Sequence, residues 1–96
     1  MVEILVMLNK QKVKVGQVVQ TPGVSHTIHP ISVVSSLSRH KRGDWGDVDD
    51  HDKKVNDEAL EAGDRLLSSY KCGDTVFWII TEADRSVTTL LLPEEY

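Results

Sequence analysis

One cysteine, three prolines and an aromatic share of only 5% mark this 96-residue sequence. Cys72 stands alone and cannot close an internal disulfide, which excludes a stapled secreted mini-protein and fits a reducing, cytoplasmic home. So few aromatics leave Val, Leu and Ile to build the core, and a chain of this length holds one small domain of modest burial. No apolar run approaches the roughly 18–20 residues that cross a bilayer, so no membrane role is expected. The apolar start, Met1 to Leu8, carries Glu3 and has neither a basic leader nor a small-residue cleavage site, so it does not read as a signal peptide. Repeats, low-complexity tracts and Pro/Gly/Ser-rich linkers are absent. Positive charge is also short: 15 acidic residues against 11 basic give a net charge of −4, which disfavours coating nucleic acid through counterion release while leaving room for a local basic site.

What is present is globular in character, with 40% hydrophobic and 27% charged residues. Val2–Leu8 is β-rich, Asn9-Lys10-Gln11 reads as a turn, and Lys12–Gln20 alternates valines around Gly16; together they predict an N-terminal strand or hairpin with Gly16 as a bulge. Thr21-Pro22 and His29-Pro30 each pair a capping residue with proline at the first helical position. The first opens a short helical turn. The second opens a helix to about His40 or Lys41, with Ile31, Val34 and Leu37 on one face, and Gly43 ends it. The Gly43-Asp44-Trp45-Gly46-Asp47-Val48 loop is expected to be anchored to the core by its tryptophan. Asp49 or Asp50 caps the next helix, where Val55, Ala59 and Ala62 share a face and Gly63 supplies the stop. From Asp64 the period changes to two, predicting strands at Arg65–Lys71, Thr75–Glu82 and Val87–Leu92. The fold class is therefore α+β: an N-terminal strand or hairpin, then two main helices packed on one face of a C-terminal three-stranded antiparallel meander.

No familiar metal or nucleotide motif fits. His26 and His29 have H-x-x-H spacing but no cysteine near them, so a closed zinc site is unsupported. An EF-hand counted from Asp47 would need Asp or Asn fifth and glycine sixth, where this chain has His51 and Asp52. Helix capping accounts for those acids. There is no G-x-x-x-x-G-K-[ST], no G-x-G-x-x-G, no nucleophile elbow and no Cys-His signature, and no cofactor is expected. The densest cationic point is Arg39-His40-Lys41-Arg42. Cations suit a helix C-terminus; the same residues also suit phosphate recognition, with His40 as proton carrier because its ordinary pKa lies near neutrality. A second cluster runs from Thr81 to Thr89. Arg85 in its turn either pairs with Glu82 or Asp84 or offers its fork to a phosphate. Thr88 and Thr89 point to opposite faces of their strand, as do Arg65, Leu67 and Ser69 against Leu66, Ser68 and Tyr70.

The runs R-H-K-R-G-D-W-G at 39–46, N-D-E-A-L-E-A-G-D-R-L-L-S-S-Y at 56–70 and W-I-I-T-E-A-D-R-S-V-T-T-L-L-L-P-E-E-Y at 78–96 resemble a widespread family of short uncharacterised proteins. Its members are found on bacterial chromosomes, plasmids and phage-like elements. The resemblance spans about Gly16 to Tyr96 and leaves residues 1–15 outside it. The order of elements also resembles the barnase/EndoU/colicin/RelE-like ribonucleases, an architectural analogy that implies function only by association.

Two functions are expected on these grounds, the ribonuclease first because architecture and residue types agree, and a binding protein as the alternative. As a metal-independent ribonuclease, the chain would use His40 as acid or base, and Arg65 and Arg85 to stabilise the phosphorane formed by 2′-hydroxyl attack. Arg39, Lys41, Arg42, Ser69, Thr88 and Thr89 would then contact RNA. The acidic balance opposes this, since it repels RNA outside the site. As a non-enzymatic binding protein, it would present the acidic stretch from Asp44 through Glu61 to a host nucleic-acid-binding or defence protein and inhibit or modulate it.

Overall fold

The computed structural model describes residues 11–96. In chain order these form β1 (Gln17–Gln20), α1 (Pro22–Thr27), α2 (Pro30–Lys41), α3 (Asp50–Ala62), β2 (Leu66–Cys72), β3 (Thr75–Thr81), β4 (Val87–Leu91) and a 3₁₀ turn (Pro93–Glu95). The fold is α+β. Strands β2, β3 and β4 make the antiparallel meander, and the sheet order is β1-β4-β3-β2.

The expected N-terminal strand is present as β1. Val2–Leu8 lies outside the described residues, and β1 runs parallel to β4, with Val18 beside Thr88 and Val19 beside Thr89. Gly16 precedes the β1–β4 ladder at φ +61, and a Cβ there would stand 2.3 Å from the Ser86 carbonyl oxygen. Only glycine allows that approach, which sets Gln17 N–H to donate to Ser86 at 3.0 Å.

Local chemistry starts and stops the helices. Thr21 Oγ accepts from Val24 N–H, His29 Nδ1 from Ile31 N–H, and the Asp49 carboxylate from Asp52 N–H, so each helix has a side-chain N-cap. Gly63 closes α3 in the left-handed region. The buried faces are shifted from those expected. On α2, Ile31 and Val34 are 72% and 68% exposed, while Ser36 and His40 are buried and Val33 and Leu37 pack on the core. On α3, Asn56 and Ala59 are buried and Val55 is 47% exposed. In both helices a polar residue takes a place on the inner face, which turns the apolar stripe by about one position.

The helices all lie on one face of the sheet. One apolar cluster joins Val24 and Ile28 to Tyr70, Phe77, Ile79, Leu90 and Leu92. A second joins Val13 and Val15 to Trp45, Ala59 and Leu66. Trp45 is buried as expected, donating from Nε1 to Asp57 at 2.9 Å. On the other face the Tyr96 ring meets Trp78 edge-on at 5.9 Å, with the Arg65 guanidinium 5.3 Å from its centroid.

Candidate functional site

The sequence places a histidine at the end of α2 beside three hydroxyl-bearing strands, and the fold brings them together. His40 is fully buried, with Nδ1 2.6 Å from Ser68 Oγ on β2 and Nε2 2.8 Å from Thr81 Oγ1 on β3. Thr81 Oγ1 lies 2.7 Å from Thr88 Oγ1 on β4, and Thr88 Oγ1 donates to the Val15 carbonyl at 2.8 Å. That carbonyl only accepts, and it orders the whole chain. Thr88 spends its proton on Val15, so Thr81 donates to Thr88, His40 Nε2–H donates to Thr81, and the bare Nδ1 accepts from Ser68. The ring is a neutral imidazole in the Nε2–H tautomer, edge-on to Trp45 at 5.7 Å.

Burial pushes the His40 pKa down to about 4, with the Arg85 charge adding to the effect. The unfolded chain then takes a proton near pH 6.5 that the native state refuses until about pH 4, so stability is complete above pH 6.5 and declines on acidification through that window. A difference of that size is worth about 3 kcal/mol. Urea titrations at pH 7 and pH 4.5 are expected to show most of this loss, and a His40→Gln variant that remains folded should lose the step; equal stability at both pH values would contradict the sealed, neutral ring.

The remaining candidates are also held in structural roles. Arg39 forms a two-point ion pair with Asp44, its Nε 2.8 Å from Oδ2, and lies over the Tyr70 ring. This pair holds the Asp44 carboxyl below its usual range. The Tyr70 hydroxyl donates to the Asp44 carbonyl at 2.6 Å, and burial lifts its pKa to about 12. Lys41 gives its carbonyl to the N–H groups of Lys12 and Val13, and Arg42 donates to Ser38 Oγ. Arg65, just before β2, lies on the helix-free face, donating to Tyr96 Oη at 2.6 Å and pairing with Glu82 at 3.4 Å. Arg85 turns the other way. At φ +62, it donates from Nη1 to the carbonyls of Asp64, Glu82 and Ala83, and from Nη2 to Ala59, and so neutralises the C-terminal end of α3. It pairs with neither Glu82 nor Asp84. Thr88 faces the core, Thr89 is half-buried on the opposite face, and Ser69 spends its backbone on the Trp45 loop.

Arg65 therefore holds the Glu82 side chain on the helix-free face and Arg85 only the Glu82 carbonyl on the helix side, while His40 is closed in the interior. The three do not converge on an open pocket. Among the described residues, no three His, Cys, Asp or Glu side chains gather as a metal site. No described helix is long and apolar enough to cross a membrane.

Two features escaped sequence reading. Ser68 and Thr81 complete the His40 chain, and Asn56 clips the outer edge of β2: its amide nitrogen donates to the Leu67 carbonyl at 2.8 Å and its oxygen accepts from Leu67 N–H at 3.1 Å. The Trp45 loop occupies the next stretch of that edge, with Ser69 N–H donating to Trp45 and Asp47 N–H to Ser69. Asn56 had a signal, an amide residue in a helix interior where its propensity is poor.

Comparison with protein-family models, with curated proteins and with solved structures returns no match to this chain.

Proposed function

We propose that this chain is a non-enzymatic binding module that engages a basic, nucleic-acid-binding protein through the acidic outer surface of α3. The observation that carries this reading is the closure of His40, the residue best suited to proton transfer at neutral pH: it has no exposed surface and both ring nitrogens are occupied. A general acid or base must reach within hydrogen-bond distance of its substrate. What the surface offers instead is segregated charge. Asp44–Asp64 holds nine acidic residues against two lysines, while the rest of the chain carries more basic residues than acidic ones. Asp50, Asp52, Glu58 and Glu61 are exposed along α3. Such a field steers a cationic partner and fixes its orientation.

The test has two arms. Pure protein incubated with mixed RNA, without metal, is expected to leave it intact. An oligolysine peptide is expected to bind in fluorescence anisotropy, with affinity falling at least tenfold when Asp50, Glu58 and Glu61 are all changed to lysine. RNA cleavage that disappears in an Arg65→Ala variant would overturn the reading in favour of the ribonuclease, and peptide binding indifferent to the charge reversal would overturn it outright.

A further inference from the structure

Between the first half of α3 and the outer edge of β2 runs a groove of about 240 Å³. Val48, Val55, Leu66 and Leu67 form its apolar walls, and Asp52 and Arg65 stand at its rim. Asn56 also lines it, but both ends of its amide are committed to Leu67, so it offers no free donor or acceptor. The strand edge beside the groove is equally closed, because Asn56 and the Trp45 loop have taken the backbone groups of Leu67 and Ser69. A partner cannot add a strand here. It can only insert a side chain, and the floor accepts nothing polar. The volume falls below the roughly 300 Å³ at which small-molecule sites begin, and suits one large aliphatic or aromatic group.

The rim identifies what surrounds that group. The Arg65 charge is already answered by Glu82 and the Tyr96 hydroxyl. Asp52 is exposed, and Glu58, one helical turn after Val55 on the same side of α3, is exposed as well. The net field offered to an incoming chain is negative. Of the apolar residues that line the groove, Val55, 47% exposed in the middle of a charged helix, is the one whose burial by a partner would gain most.

We infer that this groove is the anchor point of the interface: it takes one apolar side chain from a basic segment of the partner protein, flanked on both sides by Lys or Arg. The inference rests on the acidic-surface reading above and adds the hydrophobic residue that converts electrostatic attraction into a defined register.

Two heptapeptides serve as probes, one with a central leucine between three lysines on either side, the other with a central alanine. In titrations of ¹⁵N-labelled protein, the leucine peptide is expected to bind at least fivefold more tightly and to shift the amide signals of Val55 and Leu67. Val55→Arg should abolish that preference while leaving thermal stability and general attraction to lysine intact, and the milder Val55→Ser should reduce it. Equal binding of the two peptides, with both weakened by reversal of the α3 acids, would overturn the groove and leave the acidic surface standing. No binding of either peptide at millimolar concentration would overturn both.

Discussion

Replacing His40 with alanine is expected to destabilise the fold by about 4 kcal/mol, the sum of a cavity comparable to that left by a buried aromatic and of two hydroxyls deprived of a partner. Ser68 would lose the ring nitrogen that accepts its proton, and Thr81 would lose the donor that fixes its rotamer. The damage extends further along the chain. With Thr81 released, the Thr88 hydroxyl that ties β4 to Val15 loses its neighbour, so one substitution loosens α2, three strands and the segment before β1 together. Small domains have total stabilities of about 5–15 kcal/mol, so the loss is a large share of what holds this one. Thermal melting should fall by roughly 15–30 °C at neutral pH. A melting point within a few degrees of the parent would show that the chain of hydroxyls contributes little and that the ring is dispensable to the fold.

The second large effect is expected at Gly46. It sits at φ +75, and a Cβ there would lie 2.0 Å from the Ser69 carbonyl oxygen and 2.8 Å from the Tyr70 ring. Gly46→Ala therefore meets both a left-handed backbone penalty of about 1–2 kcal/mol and a collision with main chain that cannot rotate away. Relief requires the Trp45 loop to lift from β2, which breaks the bonds of Ser69 N–H to Trp45 and of Asp47 N–H to Ser69 and disturbs the seat of the indole. A loss of about 3–5 kcal/mol in urea titration is expected, with hydrogen exchange quickening at Ser69 and Asp47 before the rest of the sheet. Gly63→Ala is the comparison: its Cβ would meet nothing within 4 Å, so its cost is the backbone penalty alone. Equal effects at the two glycines would refute the collision.

The meander was legible because its polar and apolar residues alternate between well-marked turns, and the helix starts were legible because Thr21, His29 and Asp49 each stand before a run that needs a cap. The buried faces of the helices were less so. Ile31, Val34 and Leu37 make a plausible apolar stripe, yet the inner face follows Val33, Ser36 and His40, because the His40 ring answers hydroxyls contributed by distant strands. The clue lay in those strands. Ser68 alternates with Leu66 and Tyr70, and Thr81 with Phe77 and Ile79, so two polar groups sit on an otherwise apolar face and require a partner. The N-terminal strand was legible, but its partner in the sheet was not. A hairpin is the cheapest pairing for neighbouring β-rich segments, and only the close approach of Gly16 to Ser86 reveals the parallel one.

That parallel pairing places Gln17 against Val87, seventy residues along the chain. Closing a loop of this length costs roughly 4 kcal/mol of chain entropy, and all four β1 residues are exposed, so their own burial cannot offset it. The offset comes from either side. Val13 and Val15 are sunk in the core before the strand, and after it Glu95 receives the Thr21 hydroxyl at 2.5 Å and Gly23 N–H at 3.1 Å. β1 is thus a strap fastened by two buckles, and its place in the sheet is dictated by residues that are not part of it.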